Sequence, residues 1–490
     1  MDEFISKILE YVTAKSHKYS LVVNPDGFLK RPDTQQAILK QSSVLILPVN
    51  SSFELRIHFE LYGKSSEHPI CYIIDNPDTV LPDIKQKCFI PSSFSIAKLL
   101  PACNKMVLLG TKNLSFVMAA YLFNRKYTSN LSALETSQLL QEAHDAYGID
   151  VKEISNQLLS IPLNWEKVET IETISNILLT AIKNDLYDEL EQSLNTINDD
   201  FQTFINKKYF STITSSAVQR PKIVNKVLPY LTHQHQRGDK VALLVVDGMS
   251  YWQYLILHAE LQSLGIMTEN NVTFSWIPSI TKLSRQAIFR GESPLVEYSQ
   301  SPQSENALWM EYWTSSKRPA NKRFASYEVG YEHGSLVADN TQFLRYALVD
   351  VDLDEKMHSS SNTKDLFVLT KNWAEIAAKD IKSIHDAGYQ IYITTDHGNI
   401  LSKPWRSLTS IEKTFLYEKE SRGSRHLIYS SQDYLENFIA NNSDIKNSLL
   451  IHDQWAVWTD TRCFNNKGGI THGGAHFLEV VIPFITINKK

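Results

Sequence analysis

The chain has 490 residues, a formal net charge of −5 and a pI of about 6.3, so it lacks the overall basic charge of most nucleic-acid-binding proteins. Hydrophobic residues make up 43% and charged residues 21%, an ordinary globular balance in a chain too long for one hydrophobic core. The four cysteines are far apart with no C-x-x-C pair, the start lacks signal-peptide features, and no stretch reaches the ~20 apolar residues of a membrane span, so we expect a cytoplasmic protein with reduced thiols and no membrane partner.

Residues 1–128 alternate short apolar runs with helical patterns, which predicts a small N-terminal α/β domain. Its strand candidates are residues 19–23, 43–47, 70–74 and 106–110. Asp26 and Asp75 end apolar runs there, but no histidine follows either one at a metal-ligand spacing. We therefore interpret both aspartates as turn residues.

Residues 129–236 predict a helical connector domain, because apolar residues recur at helical spacing and Gly and Pro are scarce. The candidate helices are residues 131–146, 154–159 and 171–205. Residues 232–239, which include His233 and His235, are predicted to be a solvated linker into the next domain. A metal site formed by these alternating histidines is the alternative.

Residues 237–490 predict a doubly wound, mostly parallel α/β sheet. Strand candidates are residues 241–246, 272–276, 346–353, 390–395, 449–451 and 480–486, and helix candidates are residues 251–263, 282–290, 365–387 and 431–441. Ligands in such sheets collect at the carboxyl ends of the strands. The side chains that follow each strand therefore decide the chemistry.

Two buried strands of this region end in a carboxylate. Asp247 follows the apolar run 241–246 and precedes Gly248, and Asp396 follows the run 391–395 and precedes His397. A single Asp-Gly is typical of a turn, but two carboxylates that arrive in the same way favour a ligand site. The Asp396-His397 pair is the more specific signal, because two adjacent metal-type ligands stand before a glycine.

Two further elements carry ligand-type side chains. Thr281 lies between a predicted strand and the helix that follows it, so its hydroxyl would face the helix N-terminus. A simple helix cap is the alternative. Asp354 and His358 are four residues apart and would share one face of a helical turn. A solvated pair is the alternative there, and the nearby Asp350 and Asp352 leave the choice of carboxylate ambiguous.

The last element is His472, which lies in a glycine loop before the strand at 480–486. His476 is expected to begin the next element, and a further ligand is the alternative for it. Three carboxylates and three imidazoles suit two borderline divalent cations such as Zn²⁺, with three protein ligands each. Without cations the carboxylates would repel one another. The expected groups are Asp354, His358 and His472 for one cation, and Asp247, Asp396 and His397, together with Thr281, for the other.

These five elements resemble, in type and order, those of the alkaline phosphatase superfamily. Within it the chain is most similar to the PglZ family: residues 278–291 resemble the nucleophile segment, and residues 472–483 resemble the signature H-G-G-x-S-x-x-E-x-x-x-P, with His476 where Ser is common. The N-terminal motifs at 24–27, 55–56 and 59–60 resemble the leading domain of PglZ proteins from BREX phage-defence systems.

The resemblance implies a metal-dependent phosphoesterase with Thr281 as nucleophile, two divalent cations, most simply Zn²⁺, and other defence-system proteins as partners. Arg285, one turn beyond Thr281, would contact phosphate oxygens or be an exposed helix arginine. The basic run at 421–426 would bind the rest of a substrate or be a plain surface loop. The ligand set leaves open monoester or diester substrates, including nucleotides and nucleic acid, so a nuclease is one alternative and a scaffold subunit with a structural metal site is another.

Overall fold

The computed structural model describes residues 2–111, 114–127, 129–147, 151–295, 297–317, 319–334, 342–360, 362–417 and 424–489. The chain divides into two compact units, of which the first is Met1–Glu153 with Lys183–Asp185 and the second is Ile154–Ile182 with Leu186–Lys490. The three-domain division at residues 128 and 236 stays a prediction.

The first unit contains a four-stranded, all-parallel sheet. Its strands are β1 (Tyr19–Val22), β2 (Leu45–Pro48), β3 (Ile70–Ile73) and β4 (Cys88–Phe89), in the order β2-β3-β1-β4. Its helices are α1 (Asp2–Val12), α2 (Pro32–Ser42), α3 (Ser52–His58), α4 (Pro82–Lys85), α5 (Ile96–Leu99), α6 (Lys105–Gly110), α7 (Phe116–Asn124) and α8 (Ala133–Tyr147). The small α/β architecture and three of its four predicted strands are confirmed.

The predicted strand at 106–110 is wrong, because these residues form α6. The side chain of Asn104 accepts hydrogen bonds from the backbone N–H groups of Met106, at 3.1 Å, and Val107, at 3.3 Å, and so caps this helix. The turn interpretation of Asp26 is confirmed, because its carboxylate accepts from the N–H groups of Phe28 and Ile96.

The following helices are α9 (Val151–Leu159), α10 (Val168–Lys183), α11 (Glu191–Phe204), α12 (Phe210–Thr212) and α13 (Val227–Gln234). The helix predicted over 171–205 is therefore interrupted, with a short 3₁₀ turn at Asp188–Leu190. The linker prediction for 232–239 is wrong at His235, which is buried and lies 2.8 Å through Nε2 from the Tyr392 hydroxyl.

The second unit is built on a six-stranded sheet. The strands of the second unit, in this sheet and in two smaller ones, are β5 (Val241–Val246), β6 (Glu269–Phe274), β7 (Val329–Gly334), β8 (Arg345–Asp350), β9 (Gln390–Thr394), β10 (Ile400–Pro404), β11 (His426–Ile428), β12 (Leu449–His452), β13 (Trp455–Trp458), β14 (Arg462–Cys463), β15 (Gly469–Thr471) and β16 (Val481–Ile487). The main sheet has the order β6-β16-β9-β5-β8-β7, and the smaller sheets have the orders β14-β10-β15 and β11-β13-β12.

Only β16 runs antiparallel to its neighbours in the main sheet, so the mostly parallel α/β sheet is confirmed. The helices are α14 (Tyr251–Ser263), α15 (Thr281–Arg290), α16 (Pro302–Thr314), α17 (Asp352–Ser359), α18 (Thr363–Asp386), α19 (Ser410–Thr414), α20 (Gln432–Asn441) and α21 (Phe477–Val480). None of the helices in the described ranges combines the length and apolar character needed to cross a lipid bilayer.

The register of the central strands brings their carboxyl ends together. Val245 of β5 pairs with Thr394 of β9, and Val246 pairs with Asp350 of β8. All six residues of β5 and all five of β9 are buried, as expected for strands covered on both faces. Asp247 and Asp396 therefore leave neighbouring strands at the same edge of the sheet.

Candidate metal centre

The metal-type side chains collect into two groups. Asp247, Asp396 and His397 form one, and Asp354, His358 and His472 form the other, with the ligand atoms of each group within 4.8 Å of one another. The rings of His397 and His472 stack with centroids 3.8 Å apart and planes 8° apart, so the two groups adjoin. The residues meet in the arrangement that the sequence predicts, and their binding of metal stays a prediction.

The two stacked histidines are oriented by backbone carbonyls. Nδ1 of His397 lies 3.0 Å from the Gly398 oxygen, and Nδ1 of His472 lies 3.1 Å from the Ser279 oxygen. Because a carbonyl oxygen only accepts, each Nδ1 donates to its carbonyl, which leaves Nε2 as the nitrogen that carries the lone pair in a neutral ring. Metal-binding histidines are commonly fixed through the other ring nitrogen in this way.

The strand-end turns hold the carboxylates of the first group. Gly248 has φ of +73°, and its N–H donates to Asp396 Oδ1 at 3.2 Å. A Cβ atom at this position would stand 3.4 Å from Asp354 Oδ1, in a backbone conformation that side-chain-bearing residues rarely adopt. Asp396 Oδ1 also accepts from the His397 N–H at 3.1 Å. The Asp-Gly pair is thus a turn and a part of the site at once.

Thr281 is the first residue of α15, and Ile280 is the N-cap, so the simple-cap alternative for Thr281 is wrong. The hydroxyl oxygen of Thr281 lies 3.1 Å from His397 Nε2. That nitrogen is also 3.5 Å from Asp247 Oδ1 and 3.7 Å from Asp396 Oδ2. The half-buried hydroxyl therefore stands beside the first group and at the N-terminus of a ten-residue helix.

Arg285 is 4% exposed, so the exposed-arginine alternative is wrong. Its Nη2 donates to Asp247 Oδ2, its Nε donates to Asp396 Oδ2 at 3.1 Å, and its Nη1 lies 3.4 Å from Glu305 Oε1. Glu305 is fully buried and accepts from the Tyr331 hydroxyl at 2.6 Å. Sequence reasoning did not find Glu305, since it lies within α16 and belongs to no strand-end pattern.

The second group resolves the ambiguity among the acids at 350, 352 and 354. Asp354 Oδ1 lies 3.4 Å from His358 Nε2, whereas Asp350 accepts from the Trp373 indole N–H at 2.7 Å and belongs to neither group. Burial raises the pKa of Asp350 to about 6. Asp350 is therefore a structural residue at the end of β8.

Burial and neighbouring charges shift the pKa values of the three carboxylates in different directions. Burial raises the pKa of Asp247 well above its usual range. Arg285 lowers this pKa, but the nearby carboxylates of Asp396 and Asp354 raise it again. Burial also opposes ionisation of Asp354 and Asp396, but contacts with His358 lower the pKa of Asp354, and His397 and Arg285 lower that of Asp396. Burial lowers the pKa of His472 to about 3. The site is an enclosed carboxylate cluster that favours added positive charge.

A buried ion pair fixes the loop that carries His472. Glu479 accepts from Arg425 Nε at 2.9 Å and Nη2 at 2.8 Å, and also from the Gly474 N–H at 2.8 Å. The Ser279 hydroxyl donates to the Gly474 oxygen at 2.9 Å and accepts from the Gly473 N–H at 3.1 Å. The segment before Thr281 and the glycine loop are therefore held together.

The buried Arg425–Glu479 pair shows that both interpretations of the basic run at 421–426 are wrong for Arg425. Residues 421–423 lie outside the described residues, but Arg425 is fully buried and His426 begins β11. Arg425 is thus neither a substrate contact nor a surface residue. His476 is the N-cap of α21, and its Nδ1 accepts from the Leu478 N–H at 3.2 Å, so the expected start of an element is confirmed.

Comparison with known families assigns the α/β sheet and the strand ends that carry the metal-type side chains to an alkaline phosphatase-like domain. Residues 225–487, more than half of the chain, match the family model described as the BREX system PglZ alkaline phosphatase-like domain. The chain therefore belongs to the PglZ family. No curated protein sequence matches it.

Several solved structures are similar to this chain at low identity. The phosphonoacetate hydrolase from Sinorhizobium meliloti 1021, in complex with phosphonoformate, is 11% identical over 52% of this chain and 91% of its own, with a TM-score of 0.35. Murine ectonucleotide pyrophosphatase/phosphodiesterase 5 is 10% identical over 51% of this chain and 88% of its own, with a TM-score of 0.33. The human form is 9% identical with the same coverage and TM-score.

Proposed function

We propose that this PglZ protein hydrolyses phosphoesters with Thr281 as nucleophile and two divalent cations, most simply Zn²⁺, as a component of BREX phage defence. The observation that carries the proposal is the meeting of two three-ligand groups beside the Thr281 hydroxyl. Asp247, Asp396 and His397 would hold one cation with Thr281 next to it. The other would be held by Asp354, His358 and His472.

The side chains of the two groups fit divalent cations. Asp247 Oδ1 and His358 Nε2 are buried, and neither makes a hydrogen bond to any residue in the described ranges. Unpaired buried polar atoms are costly, and a bound cation would satisfy both. Mixed carboxylate and imidazole ligands, three to a site, are typical of catalytic zinc.

The protein's own groups would then orient the reaction. Bound divalent cations would supply positive charge for the phosphoryl oxygens and ease ionisation of the nucleophile. The free N–H groups at the start of α15 face the same region and favour an anion such as phosphate. Arg285 contacts Asp247 and Asp396 rather than open space, so we propose that it positions these carboxylates instead of contacting phosphate.

The proposed reaction is a double displacement at phosphorus. Thr281 Oγ1 forms a bond to phosphorus while the bond to the leaving alcohol breaks, the hydroxyl proton is released, and the alcohol takes up a proton from solvent. Water then displaces Thr281, which regenerates the enzyme and releases phosphate or a monoester. Monoester and diester substrates, including nucleotides and nucleic acid, share this chemistry.

The test combines metal analysis with hydrolysis of p-nitrophenyl phosphate and bis-p-nitrophenyl phosphate. We expect two zinc ions per chain, and a Thr281→Ala protein that keeps its metal but loses at least about 100-fold in rate. Thr363→Ala is the matched control, because Thr363 is also a half-buried first residue of a helix, and its rate should not change. Failure to bind divalent cations, or full activity of Thr281→Ala, would overturn the proposal.

The same variants separate the enzyme from a scaffold. A preference between the two chromogenic substrates assigns the ester class. If Thr281→Ala protein folds, binds metal and still supports phage defence in cells, the defence role is that of a scaffold. Loss of both hydrolysis and defence supports the enzyme. We further propose that the first unit, which carries no identified chemistry, binds other BREX proteins.

A further inference from the structure

Two turns at the edge of the main sheet carry the first group of metal-type side chains. One turn follows β5 and carries Asp247, and the other follows β9 and carries Asp396 and His397. The β5–β9 ladder ends at the pair Val245–Thr394, before either turn begins. Because this ladder does not reach the metal-type side chains, other contacts have to set the spacing between the two turns.

Thr395 makes the first link between the turns. Its hydroxyl accepts from the Met249 N–H at 3.1 Å and donates to the His397 carbonyl oxygen at 2.8 Å. The same hydroxyl oxygen lies 3.3 Å from Asp396 Oδ1. Thr395, Met249 and His397 are all fully buried. One hydroxyl therefore joins the backbone that follows Asp247 to the backbone of His397.

Asn399 makes the second link. Its Nδ2 donates to the Gly248 carbonyl oxygen at 2.8 Å and to Gln253 Oε1 at 2.6 Å. Its backbone N–H donates to Ser250 Oγ at 2.8 Å. Gln253 Oε1 also accepts from the Ser250 N–H at 2.9 Å, so the link extends to the first turn of α14. Asn399 is 4% exposed, and Ser250 and Gln253 are fully buried, so these hydrogen bonds are shielded from water.

The links depend on the polar groups of these two side chains. A hydroxyl donates and accepts at once, and an amide nitrogen supplies two donors, whereas an apolar side chain of similar size supplies neither. A buried backbone group that loses its partner is costly, so the turns would shift to find new partners. Residues that orient metal ligands from outside commonly change metal affinity about 10- to 100-fold when they are replaced.

We propose that Thr395 and Asn399 are positioning residues that set the spacing between Asp247 and the Asp396–His397 pair. They thereby set the affinity of the first group for a divalent cation. This inference rests on the proposed function, since it requires that the first group binds a cation. The second group lies on α17 and the glycine loop, outside the two linked turns, so its cation affinity should change little.

The test is the Zn²⁺ affinity of the full chain, measured by competition with a chelator. Asp354→Asn removes a ligand of the second group and should leave one ion bound at the first, and Asp247→Asn should leave one ion bound at the second. In the Asp354→Asn chain, adding Thr395→Val should weaken Zn²⁺ binding at least about tenfold. In the Asp247→Asn chain, the same addition should change Zn²⁺ affinity by less than about twofold.

Thr394→Val is the matched control. Thr394 is the preceding residue and is fully buried, but its hydroxyl donates to the Pro483 oxygen at 3.0 Å and so joins β9 to β16 instead of the two turns. Its replacement should leave the Zn²⁺ affinity of the first group unchanged. Co²⁺ gives an independent readout, because its visible absorption reports the geometry of its ligands. Thr395→Val should alter the spectrum of Co²⁺ bound at the first group, and Thr394→Val should not.

Asn399→Leu tests the second link with a side chain of similar size and should also weaken first-group binding at least about tenfold. Circular dichroism identifies the variants that fold. A folded Thr395→Val or Asn399→Leu chain with unchanged first-group affinity overturns the inference and leaves the proposed function intact, as does an equal loss in both backgrounds. Failure of both variants to fold also overturns it, because the links would then serve folding instead of positioning. A wild-type chain that binds no divalent cation overturns the proposed function itself.

Discussion

Replacing Glu479 with Gln should destabilise the second unit strongly. Arg425 and Glu479 both have fully buried side chains, joined by two hydrogen bonds of 2.9 and 2.8 Å. Removing one charge of a buried pair leaves the other uncompensated, which costs about 3–5 kcal/mol. Gln retains one oxygen that can still accept from the Gly474 N–H, so we expect a loss near the lower value, about 3 kcal/mol.

The assay is chemical denaturation followed by tryptophan fluorescence. All nine tryptophans lie between residues 165 and 458, within the second unit, so the signal reports that unit alone. The control is Asp386→Asn, which breaks the Lys382–Asp386 pair on α18, a pair of 2.7 Å whose side chains are 38% and 42% exposed. The control should cost only about 0.2–0.5 kcal/mol.

A double variant separates the charge from the positioning of the glycine loop. Arg425→Met with Glu479→Leu removes both buried charges, so it should recover most of the lost stability. Its hydrolysis should stay low, because Gly474 loses its carboxylate acceptor and the loop that carries His472 is no longer fixed. A loss below about 1 kcal/mol in Glu479→Gln, no larger than expected for an exposed pair, would refute the reasoning.

Three further outcomes are expected. Gly474→Ala should cost about 1–3 kcal/mol in the same assay, because a Cβ would stand 2.7 Å from Glu479 Oε2, whereas Gly469→Ala, with nothing within 4 Å, should be neutral. Gly248→Ala should cost about 1 kcal/mol and lower zinc affinity, measured by competition with a chelator, because φ there is +73°. The low pKa of His476 favours proton uptake on unfolding, so stability falls as pH drops below 6.5, and His476→Asn should reduce that slope by up to about 1.4 kcal/mol per pH unit in metal-free protein.

The core strands of the second unit are predictable because their sequences are long apolar runs with clear ends. β5 and β9 are buried along their whole length, and a polar residue stops each one. The strand prediction at 106–110 is wrong because a run of four apolar residues before a glycine suits a strand or a buried helix equally, and the helix cap at Asn104 favours the helix. β7, with two glycines and a central Tyr-Glu-His, was missed because its sequence lacks an apolar run.

The metal-type side chains of the site could be predicted from the sequence because most of them lie at or next to the end of a strand or helix. The charged residues that hold these side chains in place could not be predicted, because each pairs with a residue far away in the sequence. Arg425 and Glu479 are 54 residues apart, and Arg285 meets Glu305 only through the packing of α15 on α16. A single sequence does not show which charged residues are buried, so Arg425 was assigned to a loop that would bind substrate or lie on the surface. The positions of Arg425 and Arg285 beside their carboxylate partners become visible only in the folded structure.

The position of β16 between β6 and β9 has a consequence for biosynthesis. Val481 pairs with Phe274 across more than 200 residues of intervening chain, so a ribosome has to translate all of that chain before β6 gains its neighbour. Until then the facing edges of β6 and β9 are open to pairing with other chains. Chaperone protection of the nascent polypeptide would matter most during this interval, and a messenger RNA truncated before codon 481 would yield a protein with an unclosed sheet.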